Sequence, residues 1–163
     1  MQRASPAPDS EFESRFHRQG FSQVAGLDEV GRGCLAGPVA AGAVILPPCP
    51  SAEMLALVRD SKQLSSKQRE AAYAVIAESA LSQSVGWATP AEIDRIGIVP
   101  SVRLAMRRAL SNLRPSADSL LIDALSLPAV NLPQKSIIRG DGKSVSIAAV
   151  SYTHLTLPTK RIV

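Results

Sequence analysis

The sequence predicts an α/β fold, a mixed sheet with helices packed on it. Three observations lead there. Short apolar runs of strand length recur along the chain, at Ser22 to Glu29, Val39 to Leu46 and Ser119 to Asp123. Stretches with apolar residues at helical spacing separate them, giving the order β-β-α-β-α-β-β. Several of the strand-like runs end in acids, and functional groups gather at strand ends in α/β sheets.

The elements follow in order. Ser22 to Glu29 reads as the first strand, with Asp28 and Glu29 at its C-terminal end. Val39 to Leu46 reads as the second, rich in Val, Ile, Leu and Ala, and Pro47-Pro48 stops it. Ser51 to Arg59 reads as a short helix, and Asp60-Ser61-Lys62 as a polar loop. Ser65 and Gln68 fit a capping box that opens a helix running to about Ala80, with Ala72, Ile76 and Ala80 at helical spacing. Ser82 to Ala88 alternates as a third strand, and Pro90 to Ile96 is one or two helical turns. Val99 to Leu113 is the clearest helix, since Val102, Met106, Ala109, Leu110 and Leu113 share one face. Arg103, Arg107 and Arg114 lie on another face, read as solvated. Ser119 to Asp123 is a buried strand of the parallel-sheet kind. Lys135 to Arg139 is a last short strand, followed by Gly140-Asp141-Gly142-Lys143.

The chain has 163 residues, 45% hydrophobic and 20% charged, which suits one globular domain with a real core. A net charge of +4 permits a polyanionic partner without demonstrating one. The two cysteines, Cys34 and Cys49, have no metal-ligand spacing, and a disulfide framework is not expected. Residues 1–20 hold Pro6, Pro8 and mixed charges with no apolar core of a signal peptide, and read as a partly disordered leader. No apolar run has the length needed to span a bilayer, so no membrane partner is expected.

Chemistry concentrates in Val24 to Pro38. Two adjacent acids, Asp28 and Glu29, are followed at once by Gly31-Arg32-Gly33. Paired carboxylates attract a hard divalent cation such as Mg²⁺ or Mn²⁺. Glycines let backbone N–H groups approach a ligand closely, and arginine offers a forked donor for phosphate. Each residue also has a plainer use: a solvated strand end for the acids, a turn for the glycines, a strand cap for Asp123, and turn chemistry for Asp141. If the first strand lies beside the fourth, Asp28 and Asp123 become neighbours. Carboxylates so gathered repel one another unless cations sit between them, the arrangement that two-metal phosphodiester hydrolysis needs.

Gly26 to Gly33, followed by Leu35-Ala36-Gly37-Pro38-Val39, closely resembles the opening motif of bacterial ribonuclease HII, the type 2 ribonuclease H. The likeness continues through Asp60 to Ser65, Glu92 to Ile98, Ala105-Met106, Leu121-Ile122-Asp123 and Ile138 to Asp141, from about Phe12 to Ala149. The resemblance implies a ribonuclease H-like fold. It implies an endonuclease that hydrolyses the RNA strand of RNA–DNA hybrids, including lone ribonucleotides embedded in duplex DNA, on their 5′ side. Asp28, Glu29, Asp123 and Asp141 match the family's catalytic acids. The first three would hold a divalent metal, Mn²⁺ or Mg²⁺, and Asp141 would complete the site. Gly31, Arg32 and Gly33 match the segment that recognises the 2′-OH, the group that distinguishes RNA from DNA. Lys62 is a phosphate contact on the same reading. The resemblance also implies a cytoplasmic monomer serving DNA replication and repair. Two departures are small: Cys34 stands where the family usually has Pro, and Ala124 follows Asp123 where Gly is usual.

After Ala149 the likeness stops. Val150 to Thr159 match what a transposon-end adapter used in sequencing libraries encodes in one frame. The expected organisation is therefore a leader at 1–20, an incomplete catalytic domain at 21–149 and a non-native tail at 150–163, with the family's C-terminal helices missing. Tyr152 and His154 are not catalytic candidates on this reading. The helix after Asp141 would be cut short, with Pro158 breaking it, and apolar sheet surface would lie exposed. The alternative to an active enzyme is an inactive fragment that keeps the metal site but cannot bind substrate productively.

Overall fold

The computed structural model describes residues 7–30, 37–59 and 64–153. In chain order the elements are α1 (Glu11–Arg18), β1 (Val24–Val30), β2 (Val39–Ile45), α2 (Ala52–Arg59), α3 (Ser66–Ser79), β3 (Ser82–Ala88), α4 (Pro90–Ile96), α5 (Ile98–Asn112), β4 (Ser119–Asp123), β5 (Gln134–Ile137) and α6 (Val145–Thr153), with a 3-10 turn at Gly140–Gly142 before α6. The five strands form one sheet in the order β3-β2-β1-β4-β5. β1 pairs antiparallel with β2, and β2 with β3, whereas β1 with β4 and β4 with β5 are parallel. This is the mixed α/β sheet that the apolar runs predict.

Strand alternation sorts the side chains into two cores. Ala25 and Leu27 of β1, with Leu120 and Ile122 of β4, meet Val102, Ala105, Met106 and Ala109 of α5. On the opposite face Val44 packs with Met54, Ala72, Ile76, Val145, Ala148 and Tyr152, from α2, α3 and α6. Val24 and Leu121 join Ile147 there, beside Phe12, Phe16 and Phe21. β2 is buried along its whole length, as a central strand covered on both faces must be.

Two glycines let helices approach the sheet at backbone distance. A Cβ on Gly26 would lie 2.3 Å from the Ser146 carbonyl carbon, at the start of α6. A Cβ on Gly86 would lie 2.1 Å from Ala105 O of α5. α3 opens on the capping box read from the sequence: Gln68 N–H donates to Ser65 Oγ, and Ser65 N–H to Gln68 Oε1. α4 opens on a second box, in which Glu92 N–H donates to Thr89 Oγ1 and Thr89 N–H to Glu92 Oε2. The Arg108 guanidinium grips the same Glu92 with two nitrogens, at 2.8 and 2.9 Å, so α4 is tied to α5. That pair and the cap hold the Glu92 carboxyl down to about 2.

Four expectations are corrected. β1 begins at Val24, not Ser22, because the Ser22 and Gln23 N–H groups both donate to Asp118 Oδ2 instead of joining the ladder. β5 covers Gln134–Ile137 and ends before Arg139, which turns the chain with φ +57°. Within the segment read as a partly disordered leader, Glu11–Arg18 form α1, whose Phe12 and Phe16 pack on the sheet and whose Glu13 is buried. The sheet is not bared after Ala149: α6 continues through Thr153 with nearly every residue buried. The Tyr152 O–H donates to Leu57 O at 2.6 Å, joining α6 to α2. Pro158 and His154 lie outside the described residues. Among the described residues no helix is long and apolar enough to cross a membrane.

Candidate metal centre

The site grows from the pairing of β1 with β4. Their parallel register sets Leu27 beside Ile122, so the next residues along each strand, Asp28 and Asp123, stand side by side where the strands end. Both project to the α6 side by alternation, since Val24 and Leu121, four and two residues away on the same face, pack on Ile147. Glu29 follows immediately, and its N–H donates to Asp28 Oδ1 at 2.8 Å. One carboxylate oxygen from each of Asp28, Glu29 and Asp123 lies within 4.8 Å of the others, and all three side chains are half-buried.

Asp141 comes from a different element. The turn at Gly140–Gly142 reaches back to β4: Gly140 N–H donates to Asp123 Oδ1 at 2.7 Å. That bond fixes the orientation of the Asp123 carboxylate and brings Asp141 close enough for its charge to act on Asp123. Asp141 stands outside the three-oxygen group but beside it. Of the eight residues singled out from the sequence, the structure thus gathers four acids. Gly31, Arg32, Gly33 and Lys62 lie outside the described residues.

The electrostatics are those of crowded acids. Burial, then the Asp123 charge, then the Glu29 charge push the Asp28 carboxyl up to about 8. Burial raises Asp123 too, against the Gly140 N–H bond that lowers it, with Asp141 and Glu29 adding to the rise. A neutral Asp28 at pH 7 is the expected resting state in a carboxylate cluster without a countercharge. Three hard oxygen donors whose repulsion a dication relieves fit Mg²⁺ or Mn²⁺, and fit a soft metal poorly.

This crowding carries a sign. Asp28 binds its proton more tightly folded, near 8, than at its ordinary 3.8, so the folded chain holds more protons between those values. Its contribution to metal-free stability therefore falls as pH rises from about 4 to about 8. Thermal melts of the metal-free chain across that window should show the decline, and Asp28→Asn should flatten it. A slope identical in the two proteins would refute this account of the cluster.

Sequence reading missed two participants. Gly140 is one, since a backbone donor leaves no side-chain signature. Glu13 is the other: it accepts from Ser144 Oγ at 2.5 Å and from Ser146 N–H at 2.9 Å, just beyond the Asp141 turn. The recurrence of Phe12 and Phe16 at helical spacing around it was the available signal. Ala124, noted as a departure from glycine, sits at φ +54° directly after Asp123. The left-handed region disfavours a Cβ. Ala124→Gly is expected to stabilise the fold by about 0.5–1 kcal/mol, the relief of that strain less the entropy that glycine adds to the unfolded chain. Urea denaturation measures it, and a loss of stability would contradict the strain.

A groove of about 540 Å³ lies along α5, lined by Leu104, Arg107, Leu110, Ala117, Val130 and Leu132, and none of the acids borders it.

The sequence and the fold both have relatives. The chain is 50% identical over 139 residues to a ribonuclease HII of Dehalococcoides mccartyi, covering 85% of this chain and 66% of that protein. It spans about two thirds of the length of the curated relatives it matches first. In three dimensions it is similar to the ribonuclease H2 of Pyrococcus horikoshii, with a TM-score of 0.68 and 24% identity over 80% of this chain and 69% of that one. It is also similar to Bst ribonuclease HIII in complex with Mn²⁺, with a TM-score of 0.61 and 21% identity over 83% of this chain and 51% of that one. These likenesses show a shared ribonuclease H-like fold. The sequence profile of ribonuclease HII matches residues 25–152, from the start of β1 almost to the end of α6, and the chain belongs to the ribonuclease HII family.

Proposed function

We propose that this chain carries the catalytic centre of an endonuclease that hydrolyses the RNA strand of RNA–DNA hybrids, including a single ribonucleotide embedded in duplex DNA. The observation that carries the reading is the convergence of Asp28, Glu29 and Asp123 from adjacent strand ends. Membership of the ribonuclease HII family supports the substrate class.

Asp28, Glu29 and Asp123 would hold a divalent cation, Mn²⁺ or Mg²⁺, with Asp141 completing the acidic wall. Bound there, such a cation lowers the pKa of a water and stabilises charge on a leaving oxygen. The chain's own residues prepare the place. A cation held there would favour the ionised form of Asp28, whose carboxyl burial first, and then the Asp123 and Glu29 charges, push up. Gly140 N–H holds Asp123 Oδ1 and so keeps that carboxylate aimed into the cluster. Gly31, Arg32 and Gly33 would read the 2′-OH of the ribonucleotide, and Lys62 would contact a phosphate. Cleavage falls on the 5′ side of the ribonucleotide and leaves 3′-OH and 5′-phosphate ends. The protein works as a cytoplasmic monomer in DNA replication and repair.

Three duplexes test this: an RNA–DNA hybrid, a DNA duplex with one ribonucleotide, and an all-DNA duplex, each with Mn²⁺ or Mg²⁺. Cutting of the first two, mapped 5′ of the ribonucleotide, with the third intact, is the expected result. Equal cutting of the all-DNA duplex would overturn the substrate assignment. Cutting of none, restored when a full-length relative's C-terminal segment is joined after Ala149, would mark the chain as an inactive fragment.

A further inference from the structure

We propose that Glu13 is a positioning residue, holding the Gly140–Ser144 segment in register so that Asp123 and Asp141 can face a divalent cation. The inference rests on the metal-site reading above and adds to it a residue 15 positions before the first acid.

Four contacts join the N-terminal segment to the turn that carries Asp141. Asp9 N–H donates to Lys143 O at 3.2 Å, and Val145 N–H donates to Asp9 O at 3.0 Å. Glu13 Oε1 accepts from Ser144 Oγ at 2.5 Å and from Ser146 N–H at 2.9 Å. The same Ser144 oxygen accepts from Ile147 N–H at 3.2 Å, so one hydroxyl caps α6 while it donates to Glu13. Inside this clamp Ser144 N–H and Lys143 N–H both return to Gly140 O. The N–H of that same Gly140 holds Asp123 Oδ1.

The chain of contacts is short and directional. Glu13 fixes Ser144, Ser144 closes the turn on Gly140, and Gly140 orients Asp123 and sets where Asp141 begins. Glu13 is only 5% exposed, and burying a carboxylate is costly unless its hydrogen bonds are worth more. A neutral apolar residue would cover the same helix–helix contact at lower cost. What an apolar residue cannot do is accept two hydrogen bonds at the start of α6. Residues that orient ligands from behind typically change metal affinity by about 10–100-fold when altered.

The test compares Glu13→Ala and Glu13→Gln with Val102→Ala, a core change in α5 on the opposite face of the sheet. Two quantities are read in each full-length protein: hydrogen-exchange protection of the Gly140 amide, and Mn²⁺ affinity by calorimetry. Glu13→Ala is expected to lower Gly140 protection and to weaken Mn²⁺ binding by about tenfold or more. Glu13→Gln keeps an acceptor oxygen and should fall between Glu13→Ala and the parent, and it remains informative if the alanine variant does not fold. Val102→Ala, at a comparable loss of melting temperature, should change neither. Equal Mn²⁺ affinity in the parent and both Glu13 variants overturns the inference while leaving the metal site standing. The same loss in Val102→Ala overturns it as well, since general destabilisation then suffices. A parent chain that takes up no Mn²⁺ overturns the metal-site reading itself, and the inference with it.

Discussion

Asp28→Asn should abolish metal-dependent cleavage of an RNA–DNA hybrid, with a rate loss of roughly a thousandfold or more, equivalent to about 4 kcal/mol of barrier. Asp28 sits at the centre of the cluster, flanked by Asp123 from β4 and by Glu29 on its own strand. Asparagine keeps the shape and one acceptor oxygen, but it carries no charge with which to hold a dication. The metal-free variant should nonetheless melt higher than the parent near pH 8, because the substitution removes the acid whose ionisation the fold opposes. The two effects in opposite directions separate this prediction from simple misfolding. Activity within tenfold of the parent, in a folded variant, would show that Asp28 is a strand-end residue only. Asp123→Asn should behave alike in activity, since its carboxylate is held by Gly140 N–H for the same purpose.

The second large effect concerns the fold beneath the site. Gly26→Ala should destabilise by about 3 kcal/mol or more, a large fraction of the roughly 5–15 kcal/mol that holds a domain folded. The added Cβ would meet Ser146 C at 2.3 Å, Ser146 O at 2.5 Å and Ile147 N at 2.6 Å. All three are backbone atoms, so no rotamer change relieves the clash; α6 must move away from β1. That movement would loosen Ile147 against Val24 and Leu121, and would pull on the turn that carries Asp141. Urea denaturation followed by circular dichroism measures it. A midpoint unchanged from the parent would mean that α6 does not sit as close to β1 as described.

The sheet was legible because its signals are local. Apolar runs of strand length, a proline stop after β2 and a Ser65/Gln68 box before α3 all act within a few residues. The convergence of Asp28 with Asp123 was legible conditionally, since it follows once β1 is placed beside β4, and that pairing is parallel as a mixed sheet allows. The α1 clamp left only a faint signal, the helical spacing of Phe12 and Phe16 around Glu13, because Glu13 finds its partners 131 and 133 residues away. Nor was the reach of α6 legible. A change in local sequence character after Ala149 suggested an early stop, whereas Val150 and Tyr152 pack against α2 and α3 and Thr153 is buried as well. Arg139 and Ala124, at positive φ on either side of the Asp123–Gly140 hydrogen bond, show the same limit: their backbone conformations answer to the site rather than to residue preference.

The measurement that bears most directly on the central claim is calorimetric titration of the metal-free chain with Mn²⁺ at pH 7, repeated in buffers of different ionisation enthalpy to count protons released. With Asp28 held near 8, most of the chains carry its proton at that pH, and cation binding must expel it. About one proton is expected to be released per cation bound at the tight site, with both binding and release lost in Asp28→Asn. Binding of equal strength in Asp28→Asn, or no Mn²⁺ uptake by the parent, would contradict the assignment of Asp28, Glu29 and Asp123 as the metal centre.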